Sequence, residues 1–164
     1  MKNMADDDLF QAYFGTKTEY YNGVLEKIKA NKIIVFGVFP FLLSIFWMLY
    51  RKMYLYAFVL TIIISIVSEF AESIYISNSN NINLTTITIV QNLSIAIIFG
   101  LFGNWLYISD AQRKINKLKN KYNNEHDLIE KIKQEGGTNW FAPLILLGLI
   151  ILLLVAANYS QKTI

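Results

Sequence analysis

The sequence predicts an all-α, polytopic membrane protein with three or four membrane segments and amphipathic cytoplasmic helices. Three observations carry that prediction. Of 164 residues, 54% are hydrophobic and only 16% are charged, against about 25% charged in a soluble domain. The mean hydropathy is +0.37. The apolar residues fall into four uncharged runs, at 33–50, 53–68, 86–108 and 140–159. A helix crossing a bilayer needs about 20 such residues, so the third and fourth runs qualify as they stand. The second qualifies if it continues past Glu69 and Glu72 to residue 76.

Residues 1–32 read as two amphipathic helices. Leu9, Phe10, Tyr13 and Phe14 form one apolar patch at helical spacing behind Asp6, Asp7 and Asp8, whose charges suit a helix N-terminus. Gly15 ends that helix. Thr16 with Glu19 has the capping-box pattern, Thr16 at the cap and Glu19 three residues on. Tyr20, Tyr21, Val24, Leu25 and Ile28 then make a second stripe, read as packing on the protein's own domain.

Residues 33–76 hold the first two membrane segments. The run 33–50 is short and contains Gly37 and Pro40. It reads either as a re-entrant hairpin bent at those two residues or as a fourth span; Lys27, Lys29 and Lys32 beside it favour the re-entrant form. Residues 77–85 carry no charge and read as an external loop, and 86–108 as the third membrane helix.

Residues 109–138 are the basic cytoplasmic segment. Block 109–135 has seven basic and five acidic residues. Ile108, Ala111, Ile115, Leu118 and Tyr122 continue the helical phase out of the membrane, a turn is expected near 123–125, and a short helix runs on to Glu135. Gly136 and Gly137 stop it. Thr138 or Asn139 caps the last membrane helix and tail, 139–164, with Pro143 tolerated in the first turn. Lys and Arg mark the cytoplasmic side, which places 51–52 and 109–138 inside, and loop 77–85 and the C-terminus outside. Trp47, Trp105 and Trp140, with Tyr50, Tyr54 and Tyr107, read as one interfacial belt.

Three stretches resemble a bacterial integral-membrane family known only as a domain of unknown function. Residues 46–54, with Trp47, Leu49, Tyr50, Arg51, Lys52, Met53 and Tyr54, resemble its W-x-L-Y-R-K-M-Y element. Gly103, Asn104, Leu106 and Tyr107 resemble its G-N-x-L-Y element, and Gly136, Gly137 and Thr138 its G-G-T element. The resemblance implies a bacterial inner membrane and transfers no catalytic residue.

The site candidates follow from cost. Carboxylates inside a membrane are expensive and by default functional. Glu69 and Glu72 share a helix face, and Gln91 and Asn92 lie at the matching depth of the next helix, so a Glu69–Asn92 hydrogen bond is expected. Asn92, Ala96, Gly100 and Asn104 make a small and polar stripe, the kind on which helices pack. Glu69, Glu72, Gln91, Asn92 and Asn104 are therefore the intramembrane polar candidates. Arg51, Lys52, Arg113, Lys114 and Lys117 are candidates for lipid-phosphate or topology contacts.

No cofactor, metal site or catalytic residue is expected. The chain has no cysteine and one histidine, which excludes thiolate metal sites and multi-histidine sites. Nucleotide-binding, zinc-protease and hydrolase motifs are absent from the sequence. The expected partners are membrane lipids, anionic ones included, and a protein partner or further copies of the chain, with no nucleic acid. The reading is a non-catalytic accessory or scaffolding protein. The alternative is a homo-oligomeric small channel, transporter subunit or membrane-perturbing effector with a polar path near Glu69.

Overall fold

A computed structural model describes residues 6–78 and 83–162, and every regular element among them is helical. α1 is Asp6–Phe14, followed by a 3-10 turn at Gly15–Lys17 and by α2, Thr18–Lys29. Then come α3 (Val38–Tyr50), α4 (Tyr54–Asn78), α5 (Leu84–Lys119), α6 (Glu125–Glu135) and α7 (Phe141–Lys162).

The polar ends of the sequence fold together into a helical hub. Leu9, Phe10, Tyr13 and Phe14 of α1 and Tyr21, Val24 and Leu25 of α2 are all buried. They pack with Ile108, Ala111 and Ile115 of α5 and with Ile132 of α6. Both predicted N-terminal stripes thus face the chain's own core, apart from Tyr20, which stays exposed. Burial of each such side chain contributes about 1.5–3 kcal/mol. The expected cap at Thr16 is not where α2 begins. Gly15, at φ 62°, and the 3-10 turn take up residues 15–17, and Lys17 occupies the cap position without a side-chain bond. The Thr18 hydroxyl donates to the Gly15 carbonyl instead.

The run 33–50 packs along α5 and does not extend beyond it. Asn104 Nδ2 donates to the Val35 carbonyl (3.2 Å), and Gly37 N–H donates to the Gly100 carbonyl (2.8 Å). The chain then turns back: Pro40 and Trp47 both lie against Gly103. Seven residues of straight helix would separate those two by about 10 Å. The break lies at Ser44 (φ 42°, ψ −114°), not at Gly37 and Pro40 as expected. Gly37 is the extended cap residue of α3, and Pro40 falls in the first turn, where a missing N–H costs nothing. Both ends of this segment therefore meet α5 at the hub.

Three helices, α4, α5 and α7, are long and apolar enough to cross a membrane. α5 is continuous from the apolar stretch into the hub and ends at Lys119, before the turn expected near 123–125, and the Asn124 side chain then caps α6 through His126 N–H. Asn139 caps α7 through Phe141 N–H (2.9 Å) and ties it to the hub, donating its own N–H to the Tyr50 carbonyl and its side-chain amide to the Tyr54 hydroxyl. Beyond these anchors the apolar stretches of α4 and α7 are almost entirely uncovered by the rest of the chain. Of the predicted external loop 77–85, residues 79–82 lie outside the described residues, and the helices reach into both of its ends, α4 to Asn78 and α5 from Leu84. Asn83 caps α5 through Thr85 and Thr86.

Candidate functional site

Residues 46–54 form the elbow between α3 and α4, and four of them are core. Trp47 sits edge-on to Tyr107, with ring centres 5.8 Å apart. Met48 and Met53 are fully buried, and Arg51 is 4% exposed. The Arg51 guanidinium lies over the rings of Tyr21 (4.6 Å), Tyr107 (5.3 Å) and Tyr50 (5.6 Å). Such contacts are worth about 2 kcal/mol when dry. Its Nε and Nη1 have no hydrogen-bond partner. Arg51 is therefore a buried cation held by aromatic faces. That removes it from the surface where the lipid-phosphate contact, one of the two roles expected of it beside topology, would be made. Burial pushes the Tyr21 hydroxyl above its ordinary range, and the Arg51 charge beside it opposes that shift. Burial raises Tyr13 further, aided by the neighbouring Tyr107 and Asp110.

Trp47 and Tyr107 thus leave the predicted aromatic belt for the core. Trp105 and Trp140 stay exposed, and Trp140 packs on the Tyr50 ring at 4.6 Å.

Lys52 is held at φ 57°, a left-handed conformation that costs a non-glycine residue about 1–2 kcal/mol. Three bonds over-determine it. Lys52 N–H reaches the Leu49 carbonyl, Lys52 Nζ donates to the Gln134 carbonyl (2.8 Å), and the Lys52 carbonyl accepts from Lys114 Nζ (3.0 Å). Lys114 also pairs with Asp110 Oδ2 and Arg113 with Asp110 Oδ1, each at 2.9 Å. Asp110 is fully buried, so its charge is compensated where water cannot do it. Sequence reasoning passed over Asp110, because a single carboxylate beside a lysine-rich run looks like part of a solvated face. Lys52, Arg113 and Lys114 converge on a pocket of about 410 Å³ that Asp110, Gln134 and Glu135 also line. Of the five basic candidates, the structure joins these three. Lys117 is exposed elsewhere on α5.

Between α4 and α5 lies a second, larger cleft of about 810 Å³. Its walls are apolar apart from a few small hydroxyls, Tyr75 and Gln91. Gln91 bridges it, donating to the Ser68 carbonyl at 3.4 Å. The expected Glu69–Asn92 bond does not form. Glu69 and Asn92 are exposed, and among the described residues neither their side chains nor that of Glu72 make a hydrogen bond or ion pair or line this cleft. The depth was matched correctly, but one residue is a rotation of about 100° on a helix. Ser68 and Gln91 face each other, so Glu69 and Asn92 turn away.

Asn104 lies at the hub, donating to the Tyr20 hydroxyl (2.9 Å) and to Val35. The small stripe is a packing face over Gly100 and Asn104, where residues 35–41 sit.

Residues 12–113 match the family described as Protein of unknown function (DUF2628), well over half of the chain. The chain belongs to this family. No curated protein and no solved structure matches it. The DUF2628 match begins in α1 and ends at Arg113. It takes in the elbow, Asn104 and Asp110, while Lys114, α6 and α7 lie beyond it.

Proposed function

We propose that this DUF2628 chain is a non-catalytic accessory protein of a bacterial inner membrane, holding a protein partner by contacts between membrane helices. The observation that carries the reading is α7. It is fixed to the hub at Asn139, yet its apolar length has almost no cover from its own chain. At Gly148 a side chain would meet nothing within 4 Å, and a small residue on an open helix face is what lets a second helix approach closely. In this reading residues 33–50 are re-entrant. Residues 1–32, 51–52 and 109–138 then share the cytoplasmic side by their Lys and Arg content, and loop 77–85 and the C-terminus are outside. The channel alternative has less support, because Glu69, Glu72 and Asn92 lie off the α4–α5 cleft.

The test is purification at native expression level in mild detergent, with mass by light scattering and composition by mass spectrometry. A stoichiometric foreign protein is expected, kept in Glu69→Gln and lost in Gly148→Leu while the hub melts unchanged. A discrete homo-oligomer with no second protein would overturn the reading in favour of the channel class.

A further inference from the structure

The basic pocket and the apolar cleft follow one another along α4 and α5. The pocket is lined at Met53, just before α4, and at Tyr56 on it, and the cleft continues along α4 at Leu60, Ile64 and Val67. On α5 the cleft runs through Gln91, Ile95, Phe99 and Leu106, and the pocket follows at Asp110 and Lys114. Steps of three and four residues keep neighbouring side chains on one side of a helix. On α4 one face passes from the pocket to the cleft, while on α5 the face drifts, with Arg113 in phase with Ile95 five turns earlier and Lys114 turned further round. The long wall is hydrocarbon. Its hub end carries Lys52, Arg113 and Lys114 against Asp110 and Glu135, a net single positive charge. Lys52 is held in place by the Gln134 carbonyl, and Arg113 lies over the Tyr56 ring at 5.4 Å. That ring marks where the polar and apolar parts meet.

We propose that pocket and cleft together form a slot that binds one anionic glycerophospholipid, its phosphate at Lys52, Arg113 and Lys114 and an acyl chain between α4 and α5. Charge complementarity selects this occupant. A helix from another protein or a second copy would fill the hydrocarbon wall but bring no anion to the net positive charge of the pocket. Each basic residue beside an anionic headgroup contributes about a fivefold preference. α7 takes no part in the slot, so this inference stands apart from the partner-binding reading.

The experiment uses the full chain in detergent, exchanged against dioleoyl phosphatidylglycerol and dioleoyl phosphatidylcholine. Lipid retained per chain is counted by native mass spectrometry, and fold is checked by thermal melting. One phosphatidylglycerol per chain is expected, favoured over phosphatidylcholine. Lys52→Gln with Arg113→Gln should lower that preference by roughly 25-fold. Val67→Trp, at an exposed wall position, should lower retention of both lipids without lowering the melting temperature. Equal retention of the two lipids, or a preference untouched by the double substitution, would overturn the proposal. The chain has no cysteine of its own, so Val67→Cys tests the competing occupant directly. Copy-to-copy disulfide formation at that position would show the slot filled by a second chain and would equally overturn it.

Discussion

Replacing Gly136 with alanine should loosen the hub more than any other single-methyl addition in the surface loops. A Cβ at that position would lie 2.2 Å from the Tyr13 carbonyl oxygen and 2.8 Å from its carbon and Cα. These are backbone atoms of α1, so no side chain can swing aside, and the two segments must part by more than an ångström. The separation also breaks the Gly137 N–H to Tyr13 carbonyl bond of 2.8 Å. Overpacking costs about 1–3 kcal/mol and a lost hydrogen bond about 0.5–1.5 kcal/mol, giving about 2–4 kcal/mol together. That corresponds to a fall in Tm of roughly 5–15 °C for a chain of this size. Two neighbours calibrate the result. Gly137 has open space but φ 69°, so its alanine variant should lose only about 1 kcal/mol. Gly23 sits inside α2 with nothing within 4 Å, so its alanine variant should gain about 0.5–1 kcal/mol. Thermal unfolding of the four proteins in one detergent, followed by tryptophan fluorescence, gives the order. If Gly136→Ala melts with the parent, or Gly137→Ala melts lower than Gly136→Ala, the loop is not docked on α1 and the reasoning fails.

Three further perturbations probe the hub. Tyr13 is buried, with a hydroxyl that has no partner and a pKa raised above 10.0. Tyr13→Phe should therefore be neutral or stabilising at pH 7. Because the folded state holds that proton more tightly than the unfolded state, the parent's stability is intact below pH 10 and falls as pH rises further, by up to about 1.4 kcal/mol per unit from this group. The melting temperature of the parent relative to Tyr13→Phe should fall only on the alkaline side, and a parallel pH profile for the two would contradict the burial. Asn104→Leu removes the donor to Tyr20 and Val35 and leaves a buried carbonyl unpaired, for a loss of about 1–3 kcal/mol in chemical unfolding. Asp110→Ala leaves Lys114, itself mostly buried, without its carboxylate. The expected loss is about 3 kcal/mol, less than the full cost of an orphaned charge because Arg113 is half in water. Proteolysis of the loop around 136–138 should accelerate in that variant, and unchanged cleavage would argue against the pairing.

What the sequence made legible was the periodic part of the fold. The stripes at 9–14, 20–28 and 108–122 have one phase each, and burial of Tyr13, Val24, Ala111 and Ile115 follows from phase alone. The turn after α5 and the Asn139 cap were legible because Asn and Gly there have few other roles. Three features were not. The break at Ser44 has no local signature, since a serine among apolar residues differs little from its neighbours. It exists because Phe36, Phe41 and Pro40 close on Gly100 and Gly103, contacts about 60 residues distant in sequence. Burial of Arg51 depends on rings from α2 and α5 that only the tertiary fold assembles. The polar candidates at Glu69 and Asn92 failed on rotation, which depth matching between two helices does not fix.

The same hub explains why the membrane-sized helices touch so little. α4 leaves it at Ala57, just after Met53, and α5 at Tyr107, all in one cluster of buried residues, and α7 is tied beside it through Asn139 to the Tyr50 carbonyl. Beyond the hub, residues 35–41 sit on α5 near Gly100 and the Gln91–Ser68 bond joins α5 to α4, so few contacts besides the angle at the hub set the far ends. From Tyr107 to the start of α5 at Leu84 is about 35 Å at helical rise. A rotation of about 10° at the hub therefore moves the far end by about 6 Å, the width of an acyl chain or of a tight helix contact. What binds between α4 and α5 and what perturbs the hub must then act on each other. A ligand that favours one cleft width stabilises the packing around Tyr107 that produces it, by mass action on the same folded state. The signature is a melting temperature of the hub that rises with phosphatidylglycerol and loses that dependence in Lys52→Gln with Arg113→Gln. A hub that melted independently of what fills the cleft would mean that the elbow at Arg51 and Lys52 does not transmit the angle.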